Sequence, residues 1–243
     1  MPTFCEELFK LVNKYYKDNN HEVYIDIIAE LIEKNRKIEG LMVEDIITCM
    51  KKYNQSENIQ RYGLQMLGNL TFNHLDNKKK VCDKDGINLV FDCIKKFPDN
   101  IDIQIYGLRL LGILTYDYLD NIKKVCDKDG INLIIDCIKK FPDNTCIQIF
   151  GLYFLINLVY YKSYNKDLVY DNIKKISNKD GIQLVLNTMK KFSDNQIIQR
   201  YGILLLVILA CNNYSDNKKK IAVKNNIELI SNLLLNKYNP ETM

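Results

Sequence analysis

Tryptophan is absent from this chain of 243 residues, which has only four prolines, ten glycines and two histidines. So little Pro and Gly argues against a loop-rich or fibrous protein. His21 and His74 have no matched partners, and none of the eight cysteines forms a Cys-x-x-Cys pair, so neither a zinc site nor an imidazole acid–base pair is expected. A Gly-rich phosphate loop, a nucleophile elbow and a paired-carboxylate motif are also missing. No enzyme, metal or cofactor is expected. The longest aliphatic run, Ile203 to Ala210, is far short of the roughly 20 residues that span a bilayer. The opening MPTFCEELFKLVNKYY lacks the basic and apolar regions of a signal peptide. Free thiols in a reducing compartment are therefore expected, the cytoplasm first and the nucleus as the alternative. Met-Pro at the start rules out myristoylation and leaves Cys5 as the one candidate for acylation.

Charge of one sign is lacking too. Lys and Arg total 34 against 30 acidic residues, a net charge of +4, which is too mild to imply a nucleic-acid partner. What remains is 47% hydrophobic and 26% charged, the balance of a folded globular chain. Lys and Asn are as abundant as AT-rich codons would make them, so each tells little. The four arginines tell more.

Self-similarity dominates the chain. VCDKDGIN at 81–88 recurs identically at 125–132, and DNKKKVCDKDGINLVFDCIKKFPDN (76–100) matches segments at 120–144, 171–195 and, more loosely, 216–240. Between them lie IQRYGLQMLGNL, IQIYGLRLLGIL, IQIFGLYFLINL and IQRYGILLLVIL, with glycine at 63, 107, 151 and 202. Their spacings of 44, 44 and 51 give the third unit a seven-residue insertion. Each unit reads as three helices. A first over Asn77–Lys84 ends at Asp85-Gly86, where Gly is expected to turn left-handed. A second over Ile87–Phe97 stops before Pro98. A third over roughly Ile101–Tyr116, capped by Asp99-Asn100, is apolar nearly all round and expected to be the most buried. A glycine inside it costs about 1 kcal/mol relative to Ala, so its return in four units predicts a helix contact that a side chain would block. Val43–Tyr53 aligns as one further second helix.

The order N-x-K-K-x, K-D-G-I-x-L-[VI], polar turn, I-Q-x-Y-G-L-x-x-L-x-N-L resembles the armadillo repeat family over about residues 42–240. The resemblance implies an all-α, right-handed superhelix, an armadillo-like solenoid. Residues 1–41 would cap it with two amphipathic segments, repeats would occupy 42–240 and a tail 241–243. It also implies a non-enzymatic scaffold whose third helices, near 59–73, 103–117, 147–161 and 198–212, line a concave groove for an extended segment of a protein partner. An Asn near the end of the third helix then bonds the ligand backbone; Asn69 and Asn157 match it, whereas Ile113 and Ile208 replace it. The Trp that import receptors pair with that Asn is missing, which argues against a nuclear-import receptor.

Four rows at i, i+4, i+8 and i+12 place one stripe on each third helix. They are Arg61, Gln65, Asn69, Asn73; Ile105, Arg109, Ile113, Asp117; Ile149, Tyr153, Asn157, Tyr161; and Arg200, Leu204, Ile208, Asn212. Three of the four arginines fall on this stripe. The planar guanidinium fork suits carboxylates and interface hot spots, so an acidic peptide segment is expected, unless each arginine pairs with Asp117 or another nearby carboxylate. The candidate binding residues are Arg61, Gln65, Asn69, Arg109, Tyr153, Asn157, Tyr161 and Arg200.

Other features read more plainly. The insertion VYYKSYNKDLVYDN (159–172) offers Tyr160, Tyr161, Tyr164 and Tyr170 either to a partner or to a lengthened loop. Two lysine ladders, Lys78–Lys80 with its counterparts and Lys51–Lys52 with its counterparts, could track RNA or an anionic membrane. The second ladder, however, also complements helix C-termini, and Asp flanks both. Nucleic acid is therefore not the expected partner, and any membrane contact would be weak and peripheral. Oligomeric state is left open, with an assembly role as a third reading. Cys82 and Cys126 become Ser177 and Ala222 in later units, while Cys49, Cys93 and Cys137 become Thr188 and Leu233, an exchange that points to packing positions.

Overall fold

A computed structural model describes residues 39–160, 166–211, 217, 221 and 222. The capping segments before residue 39, Tyr161, Tyr164, Asn212 and most of the last unit lie outside the described residues. Eleven helices and no strands occur among the described residues, so the fold is all-α. They are α1 (Glu39–Lys52), α2 (Glu57–Thr71), α3 (Leu75–Asp83), α4 (Gly86–Lys96), α5 (Ile101–Thr115), α6 (Leu119–Asp127), α7 (Gly130–Lys140), α8 (Thr145–Val159), α9 (Lys166–Asn178), α10 (Gly181–Lys191) and α11 (Gln196–Cys211).

The chain divides into two compact units, Met1–Leu114 and Thr115–Met243. In the first, α1 packs on α2, α3 and α4. In the second, α8 packs on α7, α9 and α11, and α10 packs on α9 and α11. Within each unit, helices of one repeat lie against their counterparts in the next. This is the repeat-like packing of an α-solenoid in general terms.

Sequence chemistry explains where the helices begin and end. Asn100 and Asn144 accept hydrogen bonds from the backbone amides of Ile103 (2.9 Å) and Ile147 (3.0 Å), and Asn195 does the same for Ile198 (3.0 Å). These side chains cap the third helices as the polar turn predicts. At the turn between first and second helices the expectation needs correction. The left-handed residue is Asp, not Gly: Asp85, Asp129 and Asp180 have φ of 63°, 62° and 57°, and no glycine among the described residues has positive φ. Aspartate tolerates this region because its short polar side chain can bond locally; Asn88 Nδ2 donates to Asp85 Oδ1 at 2.6 Å. The following glycine serves the approach of two helices instead. A Cβ on Gly86 would lie 2.6 Å from the carbonyl oxygen of Val81, and one on Gly181 2.7 Å from that of Ile176.

The glycine inside each third helix marks the close contact that its recurrence predicts. A Cβ at Gly107 or Gly151 would lie 2.6 or 2.5 Å from Cγ1 of Ile94 or Ile138. At Gly63 and Gly202 the obstacle is a methionine, Met50 or Met189, with Cγ at 2.5 Å in both cases. Each third helix thereby lies directly on the second helix of its own repeat.

Candidate functional site

In the first unit the stripe carries three of the candidate residues on α2 and one on α5. Arg61 is mostly buried, its side chain 16% exposed, and Nη1 pairs with Asp102 Oδ2 at 3.0 Å. The same guanidinium lies over the Tyr62 ring, 4.2 Å from its centroid, and bonds the Tyr62 hydroxyl. Arg61 thus meets the alternative expectation, a neighbouring carboxylate, although that carboxylate is Asp102 and not Asp117. Arg109 differs. Its Nη1 donates at 3.0 Å to Oδ1 of Asn69, a neutral amide on the adjacent third helix, and it forms no ion pair among the described residues. Gln65 is half-buried one turn away, and Asn69 is exposed. Tyr106 lies in the same field: burial first, then Asp102, raises its pKa, while Arg61 and Arg109 pull it down.

In the second unit the surface is aromatic. Tyr153 and Tyr201 have ring centroids 5.9 Å apart, tilted by 33°. Tyr153 is half-buried, and burial raises its pKa, with Tyr201, Tyr116 and Asp117 adding to the rise. Its hydroxyl is hydrogen-bonded to Asn157, which is 8% exposed. The amide expected to clamp a ligand backbone is therefore engaged with its own neighbour. Arg200 is exposed and has no ion pair among the described residues. Leu204 is 38% exposed.

Two of the row ends do not belong to the stripe. Asn73 and Asp117 lie past the ends of α2 and α5 and take left-handed φ of 59° and 58°, so they terminate the helices instead of extending the helical face. Ile113, where the family motif has Asn, is buried. Of the insertion, part lengthens α9, which has 13 residues where α3 and α6 have 9. Tyr160, at the end of α8, and Tyr170, within α9, are half exposed, at 51% and 50%.

The lysine row at the second-helix ends has structural work. Lys51 donates to the carbonyl of Lys84 at 3.1 Å, Lys139 to that of Lys179 at 3.5 Å, and Lys96 to Asn54 Oδ1 at 3.2 Å. Lys191 pairs with Asp143. Each bond reaches a neighbouring repeat, which leaves this row poorly placed to track a polyanion.

The sequence reading missed two sets of buried amides. Gln60, Gln104, Gln148 and Gln199 are 1%, 3%, 1% and 7% exposed. Each donates Nε2 to two carbonyls that close the second helix of its own repeat, as Gln148 does to Ile138 and Phe141, both at 3.0 Å. The first carbonyl of each pair belongs to the last turn of the helix, where no amide follows to bond it; the second, just past the helix, also accepts an amide of the turn, as Phe141 does from Asn144 at 3.2 Å. On the other side, Gln60 Oε1 accepts from the Cys93 thiol at 3.1 Å and Gln148 Oε1 from the Thr188 hydroxyl at 2.8 Å. The Cys-to-Thr exchange at this position preserves a donor, so it is more than packing. The second set is Asn77, Asn172 and Asn217, buried at 3%, 0% and 2%. They donate to the carbonyls of Leu70, Leu158 and Leu209 at 2.9, 2.8 and 3.0 Å. Asn172 also accepts from the Cys126 thiol at 3.2 Å. These asparagines are structural, contrary to the expectation that Asn tells little here. The signal was present in the sequence as the same residue at the same register in every unit.

Burial pushes the thiols of Cys93 and Cys137 up to about 12, the pKa of inert groups. No group of three or more His, Cys, Asp or Glu side chains among the described residues is placed to hold a metal. No helix among them is long and apolar enough to cross a membrane.

Comparison with known proteins adds a likeness of fold. A crystal structure of an engineered protein from the Northeast Structural Genomics Consortium is similar over 94% of both chains, with a TM-score of 0.61 and 14% identity. No family model and no curated protein matches the chain. At such low identity the likeness concerns the helical architecture alone.

Proposed function

We propose that this chain is an armadillo-type, non-enzymatic interaction module that binds an extended acidic segment of a partner protein along its third-helix surfaces. Residence in the cytoplasm fits the free thiols among the described residues.

One observation carries the reading. Arg109 is held in place by a neutral amide, Asn69 Oδ1, and not by a carboxylate. An amide orients the guanidinium but leaves its charge uncompensated, so an incoming carboxylate gains a charge-assisted bond without displacing an existing ion pair. Arg61 is the weaker candidate, because a ligand there must compete with Asp102. Within the other unit, Arg200 is exposed and is the corresponding candidate.

The test is fluorescence anisotropy with labelled acidic peptides of about ten residues. Arg109→Ala is expected to weaken binding about tenfold, the equivalent of about 1.4 kcal/mol, and Arg61→Ala by less. Binding at about 0.3 M salt should persist, unlike that of a polyanion held by exposed lysines. Equal affinity of wild type and Arg109→Ala would overturn the proposal.

A further inference from the structure

The residue before each third-helix glycine is an aromatic whose hydroxyl is put to different use from repeat to repeat. It is Tyr62, Tyr106 and Tyr201 in three of them and Phe150 in the other. Phenylalanine at 150 shows that this register needs the ring and not the hydroxyl. In the first repeat the hydroxyl is engaged, because Arg61 bonds it. Tyr106, on α5, is half-buried, and its hydroxyl forms no hydrogen bond among the described residues. We infer that the Tyr106 hydroxyl completes, with Arg109 and the amide of Asn69, a seat for a single carboxylate of the partner segment. The inference rests on the reading of Arg109 as the anchor of an acidic segment, and it adds the residue that fixes the carboxylate there.

Tyr106 lies three residues before Arg109 and four after Asp102, so the three side chains share one face of α5. The charges of Asp102, Arg61 and Arg109 all act on the phenol, which therefore stands in the field of both guanidiniums. Asn69 gives its Oδ1 to Arg109 Nη1 at 3.0 Å, and neither side chain has another hydrogen bond among the described residues. The Asn69 Nδ2, most of the Arg109 N–H groups and the Tyr106 O–H are thus unspent, and all of them are donors. A guanidinium has no acceptor, so neither arginine can take the phenolic proton. An incoming carboxylate can. The Arg109 fork fills two of its roughly four acceptor positions and leaves the others for the phenol and the amide.

Charge limits the seat to one carboxylate. Arg61 is offset by Asp102 at 3.0 Å, whereas Arg109 has no ion pair among the described residues. These three charged side chains leave one positive charge uncompensated, and Asp102 opposes a second anion beside it. Half-burial raises the worth of the phenol, because a donor already partly stripped of water loses less hydration when it bonds a charged acceptor.

The test measures a labelled acidic Gly/Ser/Glu peptide on the full chain by fluorescence anisotropy. Tyr106→Phe removes the hydroxyl alone and is expected to weaken binding about fivefold, against about tenfold for Arg109→Ala. Its urea unfolding should match that of wild type, since no hydrogen bond is lost with the hydroxyl. A second readout is nuclear magnetic resonance of tyrosine isotopically labelled at the hydroxyl-bearing ring carbon. The Tyr106 signal, identified by its absence from Tyr106→Phe, should shift when the acidic peptide is added and stay in place with a peptide in which Gln replaces every Glu. Equal affinity of wild type and Tyr106→Phe, or a Tyr106 signal unmoved by saturating acidic peptide, overturns the inference. If Arg109→Ala still weakens binding in that case, the acidic-segment reading stands and only the role of Tyr106 falls. If wild type does not bind the acidic peptide, or Arg109→Ala binds it equally well, that reading falls and this inference with it.

Discussion

Replacing Gln148 by Met keeps the volume of a buried side chain and removes three hydrogen bonds at once. Nε2 no longer serves the carbonyls of Ile138 and Phe141, each at 3.0 Å, and Oε1 no longer receives Thr188 at 2.8 Å. Each buried group left without a partner costs about 1–3 kcal/mol. Phe141 keeps the backbone amide of Asn144 at 3.2 Å and Thr188 keeps some freedom to rotate its hydroxyl, so the loss falls mainly on the Ile138 carbonyl and the sum is about 2–4 kcal/mol, a sizeable part of the roughly 5–15 kcal/mol that holds a domain folded. Gln199 provides an internal control. It makes the same two bonds, to Met189 and Phe192 at 2.7 Å, but its Oε1 is buried with no partner among the described residues. Gln199→Met should therefore cost about 1–2 kcal/mol less, because it also removes an unsatisfied acceptor. Urea denaturation followed by circular dichroism measures both variants, and a cycle with Thr188→Val isolates the hydroxyl bond at about 1 kcal/mol. In thermal melts each kcal/mol corresponds to about 2–4 °C for a chain of this size. Equal costs for the two glutamines, or a zero coupling between Gln148 and Thr188, would refute the reasoning.

Two further outcomes follow from the packing and the thiols. Gly107→Ala drives a methyl into the branched Ile94 and is expected to cost about 1–3 kcal/mol, more than Gly63→Ala, where the flexible Met50 can move aside; paired urea melts decide the order. Cys146, which is exposed, should react first with a maleimide at pH 8, whereas Cys93 and Cys137, with pKa of about 12, hold roughly one thiolate in ten thousand and should react only on unfolding; mass spectrometry of the labelled peptides reads this directly.

Much of the architecture was legible because helix periodicity and turn chemistry are local. The third helix read as Ile101–Tyr116 is found at Ile101–Thr115, and the cap at Asn100 lies where the polar turn put it. The Asp85-Gly86 turn was located correctly and explained wrongly, because the motif D-G does not reveal which residue turns left-handed. That depends on how near Val81 comes to the glycine. The buried glutamines escaped notice because an amide beside Ile and Tyr looks like an ordinary helix residue until its acceptors, seven and ten positions back, are known. At the candidate site, sequence placed Arg61 and Arg109 on one face. It could not show that Asp102 engages the first while only Asn69 engages the second, since those contacts join residues about forty positions apart.

The glutamine ties bear on how such an array can lengthen or shorten by inheritance. Each Gln bonds main-chain carbonyls inside its own repeat, and the remaining acceptor of Gln60 and Gln148 takes a thiol or hydroxyl at one position of the following repeat. A tandem copy of the 44-residue segment would carry both halves of that arrangement and fit between any two existing copies without compensating changes. The identical octapeptides at 81–88 and 125–132 are what a copying event of this kind leaves behind.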